Sequence, residues 1–408
     1  MTRSMATTHA VVGAGPAGLC VVSRILDTDP EARITWFDPS FAGGRLQNYK
    51  QVPSNTKVSL FLEFARVSQS LSKIMQAEAT PVATLMALDQ DKGCRLQHAL
   101  DICAYLMSRI AEVYSDRIEM KKGWVSAIDY SRADETYSLS FHDSIVDTFQ
   151  DIPTIPEDNT SSRTQKFAGF SKLYICTGAV PVSTLSWQPH VLPGGGTAPP
   201  VVLDLDTCLD PSKLCAAVGG KDTVVVVGSS HSAILILKNL AEMPGASRPR
   251  IINFFIEPLK YAVHMPDGWI LYDNTGLKQM AANWAREHLE TNEAAAAIGI
   301  ERVDVSKDGD SFYRKFMPET SHIVYAIGFK RRGMPTFSID GQVIDGKNVS
   351  HDKKLAHIVV NESGKMTTLK TAYGFGIGFP QETIDPQGNV ETSVGIWKFR
   401  KYITASLQ

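Results

Sequence analysis

The chain has 408 residues, 43% hydrophobic and 21% charged, enough for one large core or two moderate ones. Its 41 basic and 43 acidic side chains leave a net charge of -2, so there is no electrostatic surplus to hold a nucleic acid or an anionic membrane. No apolar run approaches the roughly 18 residues of a membrane span, and six scattered cysteines without a CxxC pair exclude a disulfide scaffold, which together predict a cytoplasmic chain.

The first predicted element is a short apolar strand from His9, followed by the glycine turn Gly13-Ala14-Gly15-Pro16-Ala17-Gly18 and then apolar residues at helical spacing to Leu26. Gly13 permits the tight turn, Gly15 lets backbone approach a diphosphate, and Gly18 lets the helix pack on the strand. A second strand, Arg33 to Asp38, ends in a carboxylate about 20 residues beyond Gly18, where a ribose hydroxyl is held, and Pro39 follows it. Next comes Gly43-Gly44-Arg45-Leu46-Gln47-Asn48-Tyr49, continuing to Pro53-Ser54-Asn55-Thr56.

Helices are expected over about 68 to 118, on the spacing of Leu85, Met86, Leu88, Leu100, Ile102, Leu106 and Ile110. Strands are expected over Ile118 to Tyr130, which includes Val125, and over Thr136 to Phe141. Residues 151 to 165 read as an exposed loop, and Pro189 to Pro200 as a linker. Between them lies the strand Lys172 to Cys176, ending in Thr177-Gly178.

A second nucleotide-binding beginning follows the linker. The strand Asp222 to Val227 leads into Gly228-Ser229-Ser230-His231-Ser232-Ala233 and an apolar helix to Leu240. Only the first glycine is kept, so Ser230 puts a side chain where a diphosphate approaches, and binding there is shifted, weak or lost. The strand Arg250 to Glu257 again ends in a carboxylate. Glu257 suits a free ribose hydroxyl, whereas Lys260 or Lys330-Arg331-Arg332 suits a 2'-phosphate, which leaves NADH and NADPH open. His231 reads as a proton-transfer group, as a residue that lines the nucleotide loop, or as a cap of the following helix together with Ser230 and Ser232. The aromatic, turn-rich stretch Tyr261 to Gly276 reads as a lid or substrate wall, or as a surface loop anchored by Trp269 and Tyr272. Tyr373 to Pro380 is a glycine run, and the chain ends in Val394-Gly395 and a short amphipathic segment. No metal-ligand spacing and no GxSxG elbow occurs, and Cys20 and Cys176 read as core packing residues.

On these pieces, joined by Tyr325-Ala326-Ile327-Gly328, the chain resembles the flavin-containing monooxygenases among the flavoproteins with two dinucleotide-binding domains. The resemblance implies an α/β fold with two Rossmann-like units, the second (191–330) inserted into a discontinuous FAD domain (1–190 and 331–408). It implies FAD held by the residues from Gly13 to Gly18, by Asp38, Pro39, Gly44, Arg45, Asn55, Val125, Thr177 and Gly178, and by Gly395 at the head of a final helix. A nicotinamide dinucleotide, NADPH or NADH, would meet Gly228 to Ser232. Asn55 is the expected catalytic residue, beside flavin and nicotinamide. The family's Phe-x-Gly-x-x-x-His signature is missing; Val201 to Leu214 stands in its place.

The expected function is a monooxygenase in which NAD(P)H-reduced flavin activates molecular oxygen to oxygenate a small amine, sulfide or ketone. An FAD oxidase or dehydrogenase with a degenerate nicotinamide domain, and a non-catalytic flavin-binding protein, are the alternatives. The absent CxxC disfavours disulfide reduction. Oligomeric state is left open.

Overall fold

The computed structural model describes residues 7–143, 164–184 and 199–408. The expected loop at 151 to 165 lies outside these residues up to 163, and the expected linker lies outside them up to 198. Two parallel sheets organise the chain. The first runs, in spatial order, Val349–His351, His357–Glu362, Lys365–Gly374, Lys172–Ile175, Thr8–Val12, Arg33–Asp38 and Ile118–Lys122. From Lys365–Gly374 onward its neighbours are parallel, while the first two strands form an antiparallel edge. The second sheet, Val201–Val202, His322–Tyr325, Thr223–Val227, Arg250–Phe255 and Ile300–Asp304, is parallel throughout. Parallel strands covered on both faces read as continuous β-branched runs, which is why Val224 to Val227 are all buried.

The first sheet takes strands from both sides of the second, so the fold is α/β with one Rossmann-like unit inserted in another. An antiparallel ribbon, Ala179–Pro181 against Phe329–Arg331, joins them. A third, mixed sheet built on Trp124–Ser131, Thr136–His142 and Thr164–Phe170 packs on the first through Ala10, Val12, Phe37, Phe141 and Leu173. The stretch expected as one strand from Ile118 to Tyr130 is two strands in two sheets. Gly123 divides them with φ +157°, and a Cβ there would meet the His142 carbonyl oxygen at 2.3 Å. Helices Gln69–Ile74, Thr80–Ala87 and Leu96–Val113 fill the region read as helical.

The two units repeat one local construction. In the first, the Gly13 N–H donates to the Phe37 carbonyl at 2.8 Å and the Cys176 N–H donates to the Val12 carbonyl at 2.7 Å. In the second, Gly228 donates to Phe254 at 2.8 Å and Ala326 donates to Val227 at 2.8 Å. Gly13 and Gly228 have φ of +107° and +130°, and a Cβ on either would strike the carbonyl oxygen of Cys176 or Ala326 at 2.3 or 2.4 Å. Glycine is required at both turns by conformation and by space. Trp36 Nε1 donates to the Gly13 carbonyl at 2.9 Å, and Asn253 Nδ2 donates to the Gly228 carbonyl at 2.8 Å from the equivalent register position.

Candidate functional site

A cavity of about 1480 Å³ opens at the carboxyl ends of the first sheet's strands, where open α/β sheets bind ligands. It brings together Gly13, Gly15, Pro16, Ala17, Asp38, Pro39, Gly44, Arg45, Asn55, Val125, Thr177, Gly178 and Gly395. Ala14 and Gly18 lie behind this surface: Ala14 is fully buried, and a Cβ on Gly18 would meet the Gly13 carbonyl oxygen at 2.0 Å. A Cβ on Gly15 would meet nothing within 4 Å, so the space beside it belongs to the cavity.

Gly15 is also the N-cap of helix Pro16–Thr28 and makes no side-chain capping bond, which leaves backbone N–H groups and the helix dipole facing the cavity. Asp38 organises the same turn. Its Oδ2 accepts from the Ala14 N–H at 2.7 Å, while Oδ1 accepts from the N–H groups of Ser40 and Phe41 at 2.9 and 2.7 Å and from the Ser40 hydroxyl at 3.4 Å. Each carboxylate oxygen has about two acceptor positions, so Oδ2 keeps one for a ribose hydroxyl. Thr177 Oγ1 is buried in the cavity wall with no hydrogen-bond partner among the described residues. Buried hydroxyls are normally paired, so this one suits a ligand's polar atom. The residues present therefore fit FAD.

Asn55 is exposed to the cavity on the strand Pro53–Lys57, and its Oδ1 takes one long hydrogen bond from Thr56 Oγ1 at 3.4 Å. Ser54 beneath it is buried and fixes the turn, accepting from the Thr56 N–H at 2.8 Å and donating to the Thr56 carbonyl at 2.9 Å. The last helix, Ile396–Ser406, begins at Gly395 with φ +127° and presents Gly395, Ile396 and Phe399 to the cavity. The run from Gly374 to Pro380 is a turn closed by Phe379 N–H to Gly376 carbonyl at 3.0 Å, and Gly376 and Ile377 also line the cavity. Burial pushes up the pKa of the Cys176 thiol, and that of Cys20 to about 12, so both stay protonated packing groups.

Gly228, Ser229, Ser230, His231 and Ser232 do not line this cavity. Ser230 stands at the N-cap of His231–Ala241 with its side chain exposed, but it makes no capping bond, so the expected cap is not formed. His231 Nε2 accepts from the Lys278 N–H at 3.0 Å; burial, then the Lys278 charge, lowers its pKa to about 4. A neutral ring with that nitrogen engaged is a poor proton-transfer group. Glu257 is exposed and paired with Lys260 at 2.5 Å. Residues 261–276 contribute nothing to the cavity wall, and Lys260 Nζ stands 5.9 Å from the centre of the Tyr272 ring. Glu391 accepts from the N–H groups of Asn274 and Thr275, both at 3.0 Å, and Lys398 Nζ donates to the Asp273 carbonyl at 3.0 Å.

One residue that motif reading passed over stands at the seam of the units. Asp206 Oδ2 accepts from Arg45 Nη2 at 2.6 Å and from Asn48 Nδ2 at 2.7 Å, and Oδ1 accepts from the Tyr49 hydroxyl at 2.6 Å. The only sequence signal was an acid in the stretch where the family signature is missing. Among the described residues no cluster of three His, Cys, Asp or Glu could hold a metal, and no helix is long and apolar enough to cross a membrane.

Comparison with known proteins agrees with this geometry. A family model described as FAD-NAD(P)-binding matches residues 10–128. The chain is 37% identical over 412 residues to Monooxygenase AgnR1 of Paecilomyces divaricatus, covering 96% of this chain and 95% of that one. Among solved structures, a flavin monooxygenase from Stenotrophomonas maltophilia matches with TM-score 0.50 at 14% identity, over 97% of this chain and 96% of the other. A NAD-dependent persulfide reductase from A. fulgidus matches with TM-score 0.45 at 13% identity, and there the chain spans 58% of its length. The likeness to solved structures concerns the fold alone.

Proposed function

The chain belongs to the FAD- and NAD(P)-binding monooxygenase-like flavoproteins, and from that premise we propose that it oxygenates a small amine, sulfide or ketone, using NAD(P)H as reductant and molecular oxygen as oxidant. The observation that supports this most is the single cavity shared by the glycine turn, Asn55 and the unpartnered Thr177 hydroxyl. Bound FAD supplies electron storage and the activation of oxygen.

The protein's part is binding, orientation and exclusion of water. The N–H groups of Gly15, Ala17 and Gly18 would bind the diphosphate at the helix N-terminus, where Pro16 has no N–H to give. Asp38 accepts from the ribose, and Thr177 donates or accepts deeper in the wall. Val125 flanks the adenine. Gly395 at the head of the last helix would hold the flavin against that helix's N-terminus, where negative charge is favoured. Asn55 orients flavin and nicotinamide through its amide. Phe61, Leu96 and Phe399 give this end of the cavity an apolar wall that keeps water off the reacting centre. The turn Gly228 to Ser232 receives the nicotinamide dinucleotide, with Ser230 shifting its pose. This reading divides the chain into an FAD domain, 1–190 and 331–408, and an inserted domain, 191–330. All six thiols are free, the ground on which we place the enzyme in the cytoplasm.

Anaerobic mixing with NADPH and then NADH tests the proposal. Either should bleach the flavin absorbance, and oxygen should restore it with consumption of an organic substrate. If neither bleaches it, the nicotinamide-driven reading fails. Ser230 favours a second reading, an FAD oxidase or dehydrogenase, for which a substrate alone would bleach the flavin.

A further inference from the structure

Asp206 is 8% exposed, in the first turn of helix Leu205–Leu209, where the chain enters the inserted sheet. All three side chains it holds belong to the short helix Gly44–Tyr49 of the other unit, and Arg45 Nε ties the set together by donating to the Tyr49 hydroxyl at 2.9 Å. The first residue of that helix presses on the diphosphate turn: a Cβ on Gly44 would lie 3.2 Å from Gly15 Cα. One planar carboxylate with three donors from one rigid turn defines a single relative orientation. At this burial, losing any donor leaves a polar group unpaired.

We propose that Asp206 is a positioning residue for electron transfer between the two nucleotide sites. It sets the inserted unit, and with it the dinucleotide on the Gly228 to Ser232 turn, against the flavin-side turn Gly44–Tyr49. The proposal rests on the FAD and NAD(P)H reading above. In the step it serves, a hydride with its electron pair leaves the reduced nicotinamide, which is oxidised, and is gained by the flavin, which is reduced. Such a transfer requires reacting atoms about 3–3.5 Å apart, and a misplacement of about 1 Å costs on the order of a hundredfold in rate. Asp206 acts on that distance through Arg45, Asn48 and Tyr49.

The test compares FAD-loaded wild type with Asp206→Asn, Asp206→Glu and Tyr49→Phe. An asparagine has one acceptor oxygen and turns an NH₂ toward groups that are themselves donors. Asp206→Asn should keep its flavin and bleach normally with dithionite, while reduction by NADPH slows about tenfold or more. Hydrogen exchange should rise in both Gly44–Tyr49 and Leu205–Leu209. Asp206→Glu should recover part of the rate. Tyr49→Phe removes one donor and keeps the ring, so it should slow reduction in the same direction by less, and it answers the question if Asp206→Asn does not fold. Wild-type reduction rates in Asp206→Asn or Tyr49→Phe, or unchanged exchange in both segments, would overturn the proposal. If NADPH and NADH both fail to bleach the wild type, the functional reading falls instead, and the exchange measurement alone decides whether Asp206 fixes the units.

Discussion

Arg400 of the last helix reaches Asp27 of the first, Nη2 to Oδ2 at 3.3 Å, with the two side chains only 4% and 8% exposed. Asp27 also accepts from Ser68 Oγ and the Ser70 N–H, both at 2.7 Å, and Arg400 Nη1 donates to Ser23 Oγ at 2.7 Å. Together with the Arg400–Ser23 bond, and with Arg24 Nη2 donating to the Leu407 carbonyl at 2.8 Å, the pair fastens the helix that begins at Ile396 to the helix that begins at Pro16, whose N-termini both face the cavity. Removing one partner strands the other charge. Arg400→Leu should lower unfolding stability by about 3–5 kcal/mol, read by denaturant titration, and Asp27→Leu combined with it should cost less than the sum of the two single changes.

Gly15→Val should separate cofactor binding from folding. The Cβ of the new side chain enters open cavity space with nothing within 4 Å, so the melting temperature of flavin-free protein should stay close to that of the flavin-free wild type, while the purified variant is colourless. Gly13→Ala is the contrast, because its Cβ would collide with the Cys176 carbonyl, and it should fail to fold. Full flavin loading of Gly15→Val would refute the diphosphate assignment.

Asn55→Ala should keep FAD at full stoichiometry and lose productive turnover by about tenfold or more, since the side chain orients rather than retains the cofactor. Substrate oxidation measured against NADPH consumption checks it. Unchanged turnover would remove Asn55 from the reaction.

His9 predicts an acid limit to stability. Burial first, then the nearby Lys172 charge, outweighs Asp29 and lowers its pKa to about 4 from an ordinary 6.5. The unfolded chain therefore binds the proton more readily. The stabilising contribution is full above about pH 6.5, falls as the pH drops toward 4, and changes no further below that. Its size is on the order of 3 kcal/mol. His9→Phe, which keeps the stack on Tyr174, should flatten this part of the stability profile in urea titrations across the range. An unchanged slope would count against it.

What the sequence disclosed and what it withheld divide along chain separation. The Gly13 to Gly18 and Gly228 to Ala233 turns, with their strands and helices, were legible because φ and steric demands are written in consecutive residues. Trp36 and Asn253, which hold the two turn carbonyls, have no motif, since their role appears only once neighbouring strands come into register. Asp206 was hidden more deeply, because its partners lie between 157 and 161 positions away and nothing local marks them. Ser230 and His231 misled as a cap because the helix start was legible, while the Lys278 N–H that engages His231 was not.

The insertion also dictates an order of events at the ribosome. The inserted sheet is complete once residue 325 has emerged, whereas Lys172–Ile175 waits for its neighbour Lys365–Gly374. At about 5–20 residues per second, the edge of that strand facing away from Thr8–Val12 stays open for roughly 2–10 seconds while the younger unit is already closed. The nascent enzyme is thus most vulnerable to aggregation late in its synthesis, at a strand made long before.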